Sequence, residues 1–458
     1  MEIGHNRLMT DPRLAVVVLA AGKGTRMRSA LPKVLHAIAN RPLIAHVMNA
    51  VAALAPMRTI AVLAPGMDGV AAAAAPAEIV LQHEQRGTAH AVLAAKKALD
   101  GFAGDVLVLN GDGPLVTTAT LAALVAERRR AKAAVAVLGM RPADAGPYGR
   151  LVTAADGTLT AIVEAADASD AERKIGFCNS GLWALDGAEL WGLLEGIGAK
   201  NAKGEHYLTD IVAAARKKGL SCRAIEGPTD ELLGVNSRAD LAAAEAAMQQ
   251  RLRAHAMEEG VTFTAPETVF LSADTKIGRD SVVGPFVVFG PGVTVGEGVQ
   301  IPAFCHMVEA TVGDRASIGP FARLRPGAEL GPEVHLGNFV EVKNSRLGRG
   351  AKANHLAYIG DANVGAGSNI GAGAITCNYD GIEKFRTEIG KSVFVGTNVS
   401  LVAPVAVGDG AFIAAGSVIT GDVPSDAMAI ARGQQVTKPG RAKEWREARR
   451  KSKDRGKN

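Results

Sequence analysis

A chain of 458 residues is too long for one ordinary hydrophobic core, and 48% hydrophobic with 21% charged residues excludes both a disordered polymer and a membrane-embedded one. The formal charge of +5 does not mark a nucleic-acid binder, because ten Lys or Arg against Glu444, Glu447 and Asp454 crowd into residues 438–458 and leave the rest close to neutral. Such a basic tail is ordinarily a solvated end. Fifty-three glycines with only 4% aromatics point instead to closely spaced backbones and many tight turns. Cys178, Cys222, Cys305 and Cys377 show neither metal-ligand nor disulfide spacing, and no apolar run reaches the roughly 18 residues of a membrane span. A cytoplasmic protein with reduced thiols is expected.

In chain order, a leader (1–13) precedes an α/β region of short apolar runs alternating with helical patterns, which predicts a Rossmann-like, mostly parallel sheet over 14–237. AVVVLA (15–20) and DVLVLN (105–110) are buried strands, and AALVAERRRA (122–131) is helical. Residues 238–260, rich in Ala, Glu, Gln and Arg, make a helical linker. From 261 to 437 an aliphatic residue followed by a small one recurs every six positions: Ile277-Gly278, Val283-Gly284, Val295-Gly296, then after a one-residue slip Ile318-Gly319, Leu330-Gly331 and Leu336-Gly337, continuing to Ile413 and Ile419. Six residues per flat face and three faces per turn make a parallel β-helix. The period breaks between Thr376 and Ile389, so 377–388 is expected to loop out of the coil. The tail 438–458 and the leader are expected to be mobile.

Two regions carry chemistry. After the first strand comes Leu19-Ala20-Ala21-Gly22-Lys23-Gly24-Thr25-Arg26-Met27, then Leu31-Pro32-Lys33. A glycine-rich strand-to-helix turn lets backbone N–H groups approach phosphate oxygens, with Lys23, Arg26 and Lys33 supplying positive charge. A plain βα turn is the ordinary alternative, but GxGTRM followed by LPK is far more restrictive than three glycines. Asn110-Gly111-Asp112 closes the 105–110 strand, putting a carboxylate at the sheet edge where α/β ligands bind. Asp112 is the predicted Mg²⁺ ligand and Asn236, in GVNSRAD, its predicted partner; magnesium takes one or two protein oxygens plus phosphate and water. In the repeat region polar residues concentrate at Arg323, Arg325, Glu341, Lys343, His355, Tyr358, Asn369, Asn378 and Tyr379. Coils stack about 4.8 Å apart, so residues some 18 apart become neighbours, and Glu341 and Lys343 are expected near His355 and Arg325.

LAAGKGTRM, LPK, QHEQRGTAHA, NGDGPL, YGRL and GVNSRADL resemble the sugar-phosphate nucleotidyltransferases over residues 14 to about 240. With RLRPG, NFVEVKN, ANHLAYIGD and GAGAITCNYDG, the whole chain resembles the bacterial bifunctional N-acetylglucosamine-1-phosphate uridyltransferase and glucosamine-1-phosphate N-acetyltransferase family. The resemblance implies a left-handed β-helix, a homotrimer, and synthesis of UDP-N-acetylglucosamine for peptidoglycan and lipopolysaccharide. It implies that Leu19, Ala20, Ala21, Gly22, Gln82, Gly87 and Thr88 meet the uridine of UTP. Asn110, Gly111, Gly149, Glu164, Asn179 and Thr209 would meet the rest of the UDP-sugar. Arg26 and Lys33 would act on the phosphates, in an in-line attack that needs no general base. For any one of these alone, an ordinary turn or capping residue is the commoner reading.

On the second site the resemblance implies His355 as general base, Glu341 orienting its imidazole, Arg325 and Lys343 on the sugar phosphate, and Tyr358 and Asn369 on the glucosamine. Acetyl-CoA would run along Ala372, Asn378, Tyr379, Thr397, Ala415 and Arg432, with Asn378 also facing the glucosamine. Asn110, Gly113 and Thr397 depart from the aromatic, valine and serine more usual there. His306, His335 and His355 raise a zinc alternative, opposed by the different turn that His306 occupies. A rival reading keeps only the nucleotidyltransferase, with a structural or regulatory β-helix. The coil's His355 with Glu341, Lys343 and Asn378 separates the two.

Overall fold

The computed structural model describes residues 13–22, 24–199, 201 and 204–455; Lys23 and the leader up to residue 12 lie outside the described residues. The chain forms two compact units, one running to His255 and including Leu271–Ala273, the other made of Ala256–Phe270 and the remainder from Asp274.

The first unit is built on nine strands: β1 (Leu14–Leu19), β2 (Arg58–Leu63), β3 (Glu78–Leu81), β4 (Asp105–Asn110), β5 (Val135–Met140), β6 (Arg150–Thr153), β7 (Leu159–Val163), β8 (Cys178–Asp186) and β9 (Cys222–Glu226). The order is β9-β5-β8-β4-β1-β2-β3, with the β6–β7 hairpin on β8. All neighbours on the main path are parallel except β8, which runs against both β4 and β5. Alternate residues of β1 face opposite cores: Ala15 and Val17 join Ile60, Val106 and Val108, while Val16 and Val18 join Ala61, Leu107 and Leu109. Burial on both faces is why these strands read as unbroken apolar runs.

Leu19 pairs with Asn110, so the carboxyl ends of β1 and β4 stand side by side, and the Gly111 amide donates to the Leu19 carbonyl at 2.9 Å. Helices α1 (Thr88–Ala94), α2 (Thr118–Arg130) and α3 (Arg238–Glu258) frame the site. Asp105, 4% exposed at the start of β4, is paired with Arg128 and Arg129 in the last turn of α2. Asp105→Ala leaves two guanidinium groups facing an emptied carboxylate position. A loss of about 3–5 kcal/mol is expected, seen as a lower urea midpoint for this unit, and an unshifted midpoint would show the pair to be dispensable.

The second unit is a left-handed β-helix: three sheets of ten, eight and eight parallel strands, each strand pairing with the one a full coil onward. Inward side chains such as Val283, Phe289, Ile301, Leu324, Val342 and Ile413 are fully or almost fully buried. Coils approach so closely that a Cβ on Gly365 would lie 2.4 Å from the backbone of Gly390, which accounts for the small residue after each aliphatic one. At one corner Phe286, Phe304, Phe321 and Phe339 adopt left-handed backbone conformations and stack with ring centroids 4.9–5.2 Å apart. Cys377, Thr387 and Glu388 belong to strands, so the excursion is 378–386, narrower than the period break suggested. The basic tail forms a helix, α4 (Arg441–Arg455). Its Arg, Lys, Ala and Glu are strong helix formers, and Arg441 pairs with Glu444 at 3.1 Å.

Candidate functional sites

Two cavities open at the carboxyl edge of the first unit's sheet. One, of about 320 Å³, is lined by Leu19, Ala20, Ala21, Gly22, Lys33, Gln82, Gly87, Thr88, Asn110 and Asp112, together with Gln85 and Glu205. The other, of about 250 Å³, is lined by Asn110, Asp112, Tyr148, Gly149, Glu164, Asn179, Ser180 and Asn236 among others. The cavities meet at Asn110 and Asp112. Gly111 is buried between them and supports the loop through its bond to Leu19.

At that junction Lys33 Nζ is in contact with Asp112 Oδ2 and donates to Asn236 Oδ1 at 3.0 Å, and Arg26 donates to the same oxygen at 2.9 Å. The Lys33 and Asp112 side chains are only 15% and 18% exposed. A cation thus already sits where a carboxylate and a carboxamide oxygen converge. Two hard oxygen donors of this kind fit Mg²⁺, which fills its remaining positions with phosphate and water. Asn236 is held by the start of α3: the Asp240 carboxylate accepts from the amides of Asn236 at 2.9 Å and Ser237 at 2.8 Å, while Ser237 Oγ accepts from Asp240 N at 3.2 Å. That reciprocal cap satisfies the first amides of the helix and aims the Asn236 side chain.

Thr209 was expected against the sugar. It is instead buried, and its hydroxyl donates to Glu164 Oε1 at 3.1 Å, so it reaches the cavity only through Glu164. Several lining residues were missed, among them Gln85 and Tyr148. Gln85 donates to the Ala21 carbonyl at 2.7 Å and ties down the glycine-rich loop. Tyr148 stands in the smaller cavity with its phenol pushed up by burial and by the charges of Asp240 and Asp112; its position in YGRL was the available signal.

In the β-helix, Arg323, Glu341 and Tyr358 stand in register on successive coils, and Arg325 donates to Glu341 at 2.9 Å. Lys343 lies 3.9 Å from Asp361. Its ammonium is pulled below the usual lysine range chiefly by the neighbouring Lys384 and by burial, with Asp361 acting the other way. Lys384, in the excursion, was missed because the loop's return path is not written in the repeat.

Asp361, 5% exposed, accepts hydrogen bonds from the Asn344 and Asn378 carboxamides. Burial pushes its carboxyl up, but those two bonds and the charges of Lys343 and Lys384 outweigh it, leaving the group below the usual carboxylate range. A depressed folded-state pKa stabilises above the unfolded pKa and loses that contribution as pH falls through the folded value. Asp361→Asn is therefore expected to flatten the acid limb of this unit's melting temperature against pH. An unaltered limb would show that the carboxylate carries none of it.

His355 Nδ1 lies 2.8 Å from Asn338 Oδ1, its register partner. This corrects the expected arrangement: Glu341 is engaged by Arg325 and, at 3.5 Å, by Arg323, and Asn338 is the residue that orients the imidazole. Proton on Nδ1 and lone pair on Nε2 is the tautomer that a carboxamide oxygen selects. Below His355 the corners form a file: the Gly373 amide donates to His355 O at 3.4 Å, Asn398 N to Ala372 O, Gly416 N to Thr397 O, and the Arg432 guanidinium to Ala415 O at 2.7 Å. Ala372, Thr397, Ala415 and Arg432 thus mark successive turns along one edge. Asn369 stands in register with Lys352 on the strand of His355, and Tyr379 is exposed at the mouth of the excursion. His335 pairs with Lys352, three positions from the partner of His355, and His306 pairs with Arg323 in another sheet. Among the described residues no group of three His, Cys, Asp or Glu side chains within one chain is placed to hold a metal ion.

A family profile described as a MobA-like NTP transferase domain matches residues 16–177, and one described as bacterial transferase hexapeptide (six repeats) matches 274–307 and 386–421. The bifunctional protein GlmU of Rhodospirillum rubrum is 59% identical over 435 residues, covering 95% of this chain and 97% of its own. That of Xanthobacter autotrophicus is 57% identical over 449 residues, covering 97% and 100%. The chain belongs to the bifunctional GlmU family. The GlmU protein of Paramagnetospirillum magneticum, 55% identical over 439 residues, again spans both units, covering 96% of this chain. The GlmU relatives thus span both the α/β unit and the β-helix of this chain. No helix among the described residues is long and apolar enough to cross a membrane.

Proposed function

We infer that this chain is a bifunctional enzyme of UDP-N-acetylglucosamine synthesis, acetylating glucosamine 1-phosphate in its β-helix and transferring UMP to N-acetylglucosamine 1-phosphate in its α/β unit. The observation that carries the reading is the pairing of two cavities that meet at Asp112 with a separate imidazole whose Nε2 is left free by Asn338. Residues 14–237 form the uridyltransferase, 261–437 the acetyltransferase, and 238–260 the linker between them.

In the first reaction Arg325 and Lys343, with Lys384 beside them, hold the sugar phosphate, a task suited to charge-assisted hydrogen bonds. Tyr358 and Asn369 face the glucosamine. The substrate amine attacks the thioester carbon of acetyl-CoA, the carbon–sulfur bond breaks, and the amine's proton passes to His355 Nε2. An imidazole suits this transfer because its ordinary pKa of about 6.5 lies near the working pH. The cofactor lies along the Ala372–Arg432 file, with Asn378 and Tyr379 at its mouth.

In the second reaction the uridine occupies the larger cavity and the sugar the smaller, with Gly149, Glu164 and Asn179 on its hydroxyl and acetamido groups. A phosphate oxygen of the sugar attacks the α-phosphorus of UTP in line and pyrophosphate leaves. The nucleophile is already ionised, so catalysis is positioning and charge neutralisation by Arg26 and Lys33. Asp112 and Asn236 would hold Mg²⁺, which supplies further neutralisation of the phosphates when bound.

Because family resemblance implies a homotrimer, the protein is expected to be trimeric and to work in the cytoplasm, where its product feeds peptidoglycan and lipopolysaccharide assembly. The test is to supply purified protein with glucosamine 1-phosphate, acetyl-CoA, UTP and Mg²⁺ and follow CoA thiol and pyrophosphate separately. Both are expected. Pyrophosphate from pre-acetylated sugar phosphate with no CoA under any condition would leave the β-helix a structural appendage. The role of Asn338 has its own test: Asn338→Leu is expected to lower acetyl-transfer kcat about 10–100-fold with the KM values little changed, a share of the roughly 10²–10⁴ that a positioned base supplies. An unchanged kcat would return the orienting role to Glu341.

A further inference from the structure

We propose that His90, together with the Gly87 carbonyl, sets base specificity, by locking the Gln82 amide so that the nucleotide cavity presents a hydrogen-bond acceptor, which uracil satisfies and cytosine does not. The proposal rests on the assignment of the larger cavity to the nucleotide.

Gln82 follows β3 and is only 4% exposed, so its amide must find partners within the fold. Its Nε2 donates to the Gly87 carbonyl at 3.3 Å and meets His90 Nδ1 at 3.2 Å. A backbone carbonyl can only accept, so the NH₂ end alone can face Gly87; turning the amide over would bring two carbonyl oxygens together. Both N–H groups are then used, one on Gly87 and one on His90, whose tautomer must carry its proton on Nε2. Gln82 Oε1 takes no hydrogen bond from the described residues and is the group left for a ligand.

The turn that presents Gly87 is itself fixed. Gly87 has φ +113°, and a Cβ there would lie 2.5 Å from the His206 carbonyl. Ala89 N donates to that same carbonyl at 2.9 Å, His206 N to Arg86 O at 2.8 Å, and Leu208 N to Thr88 Oγ1 at 2.9 Å. The Gly87 oxygen therefore cannot swing away to let the amide flip, and His90, in the first turn of α1, completes the lock from the other side.

An outward acceptor pairs with the N3–H of uracil. Cytosine places a lone pair at N3, which faces the acceptor with no proton between them, and a site built around one hydrogen bond rejects the analogue that leaves it unmade. The base is thus read through a buried amide that a second-layer histidine holds in place, so His90 is a positioning residue.

The experiment measures kcat/KM for UTP and CTP with N-acetylglucosamine 1-phosphate in wild type, His90→Phe and His90→Asn. Wild type is expected to prefer UTP by about 100-fold or more. His90→Phe keeps bulk but offers no acceptor, and the UTP:CTP ratio should fall about tenfold, the consequence of one hydrogen bond lost at roughly 1.4 kcal/mol. Asn places an oxygen near the former Nδ1, so His90→Asn should retain the wild-type ratio. A His90→Phe enzyme with the ratio unchanged, or with both nucleotides weakened alike, overturns the proposal. So does a His90→Asn enzyme whose ratio falls, which decides the matter even if His90→Phe does not fold. Wild type that releases pyrophosphate from neither nucleotide would remove the functional reading itself, an outcome distinct from loss of discrimination.

Discussion

Asp112→Ala abolishes pyrophosphate release, by about 10³-fold or more, and leaves CoA release at its wild-type rate. The carboxylate ends the 105–112 segment at the seam of the two cavities and, among the described residues, is the only full negative charge in direct contact with Lys33. Its removal leaves Lys33 and Arg26 sharing the Asn236 carboxamide oxygen, and one anionic oxygen fewer for a divalent cation among crowded phosphates. Asp112→Asn keeps the shape and loses the charge, so it should fall nearly as far. The readout is steady-state pyrophosphate release across a Mg²⁺ titration, with CoA thiol followed on the same sample. Loss of both activities would mean that the substitution unfolds the chain, and retention of pyrophosphate release would move the metal and phosphate chemistry away from this carboxylate.

His355→Ala is expected to do the converse. Acetyl transfer should drop by about 10²–10⁴-fold, the range that a positioned base supplies, while pre-acetylated sugar phosphate is still converted at the normal rate. The supporting geometry is local: the ring is fixed by Asn338 at 2.8 Å, and its own backbone carbonyl caps the next corner, at the head of the file ending in Arg432. A truncation here removes a surface-facing ring and no core volume, so a stability defect is not expected. Rate retained in the variant would assign the proton to another acceptor, and a parallel loss of uridyl transfer would mean that the two units do not act independently.

Much of this architecture was legible in the residues alone. Unbroken apolar runs at 15–20 and 105–110 can only be strands buried on both faces, and the hexad period from Ile277 to Ile419 leaves one inward aliphatic residue per face of a three-sided coil. The glycine-rich turn and Asp112 were also readable, because each stands next to the strand that presents it. Local sequence determines such features, since the strand and its following turn are contiguous.

Only the tertiary structure decided the partners. Asn236 lies 203 residues from Lys33, and it is the α3 cap at Ser237 and Asp240 that brings its oxygen to the junction. Thr209 proved to stand behind Glu164, because which side of a short helical turn faces a cavity depends on what packs against it. In the β-helix Glu341 was expected near His355, but the two are only 14 residues apart while the coils there advance by 17, setting Asn338 across from His355 and Tyr358 across from Glu341. A slip of one residue exchanges inward for outward side chains along a strand. The hexad pattern therefore identifies the coil, while the register of each turn, which chooses the partner of the imidazole, is determined by how the successive coils pack.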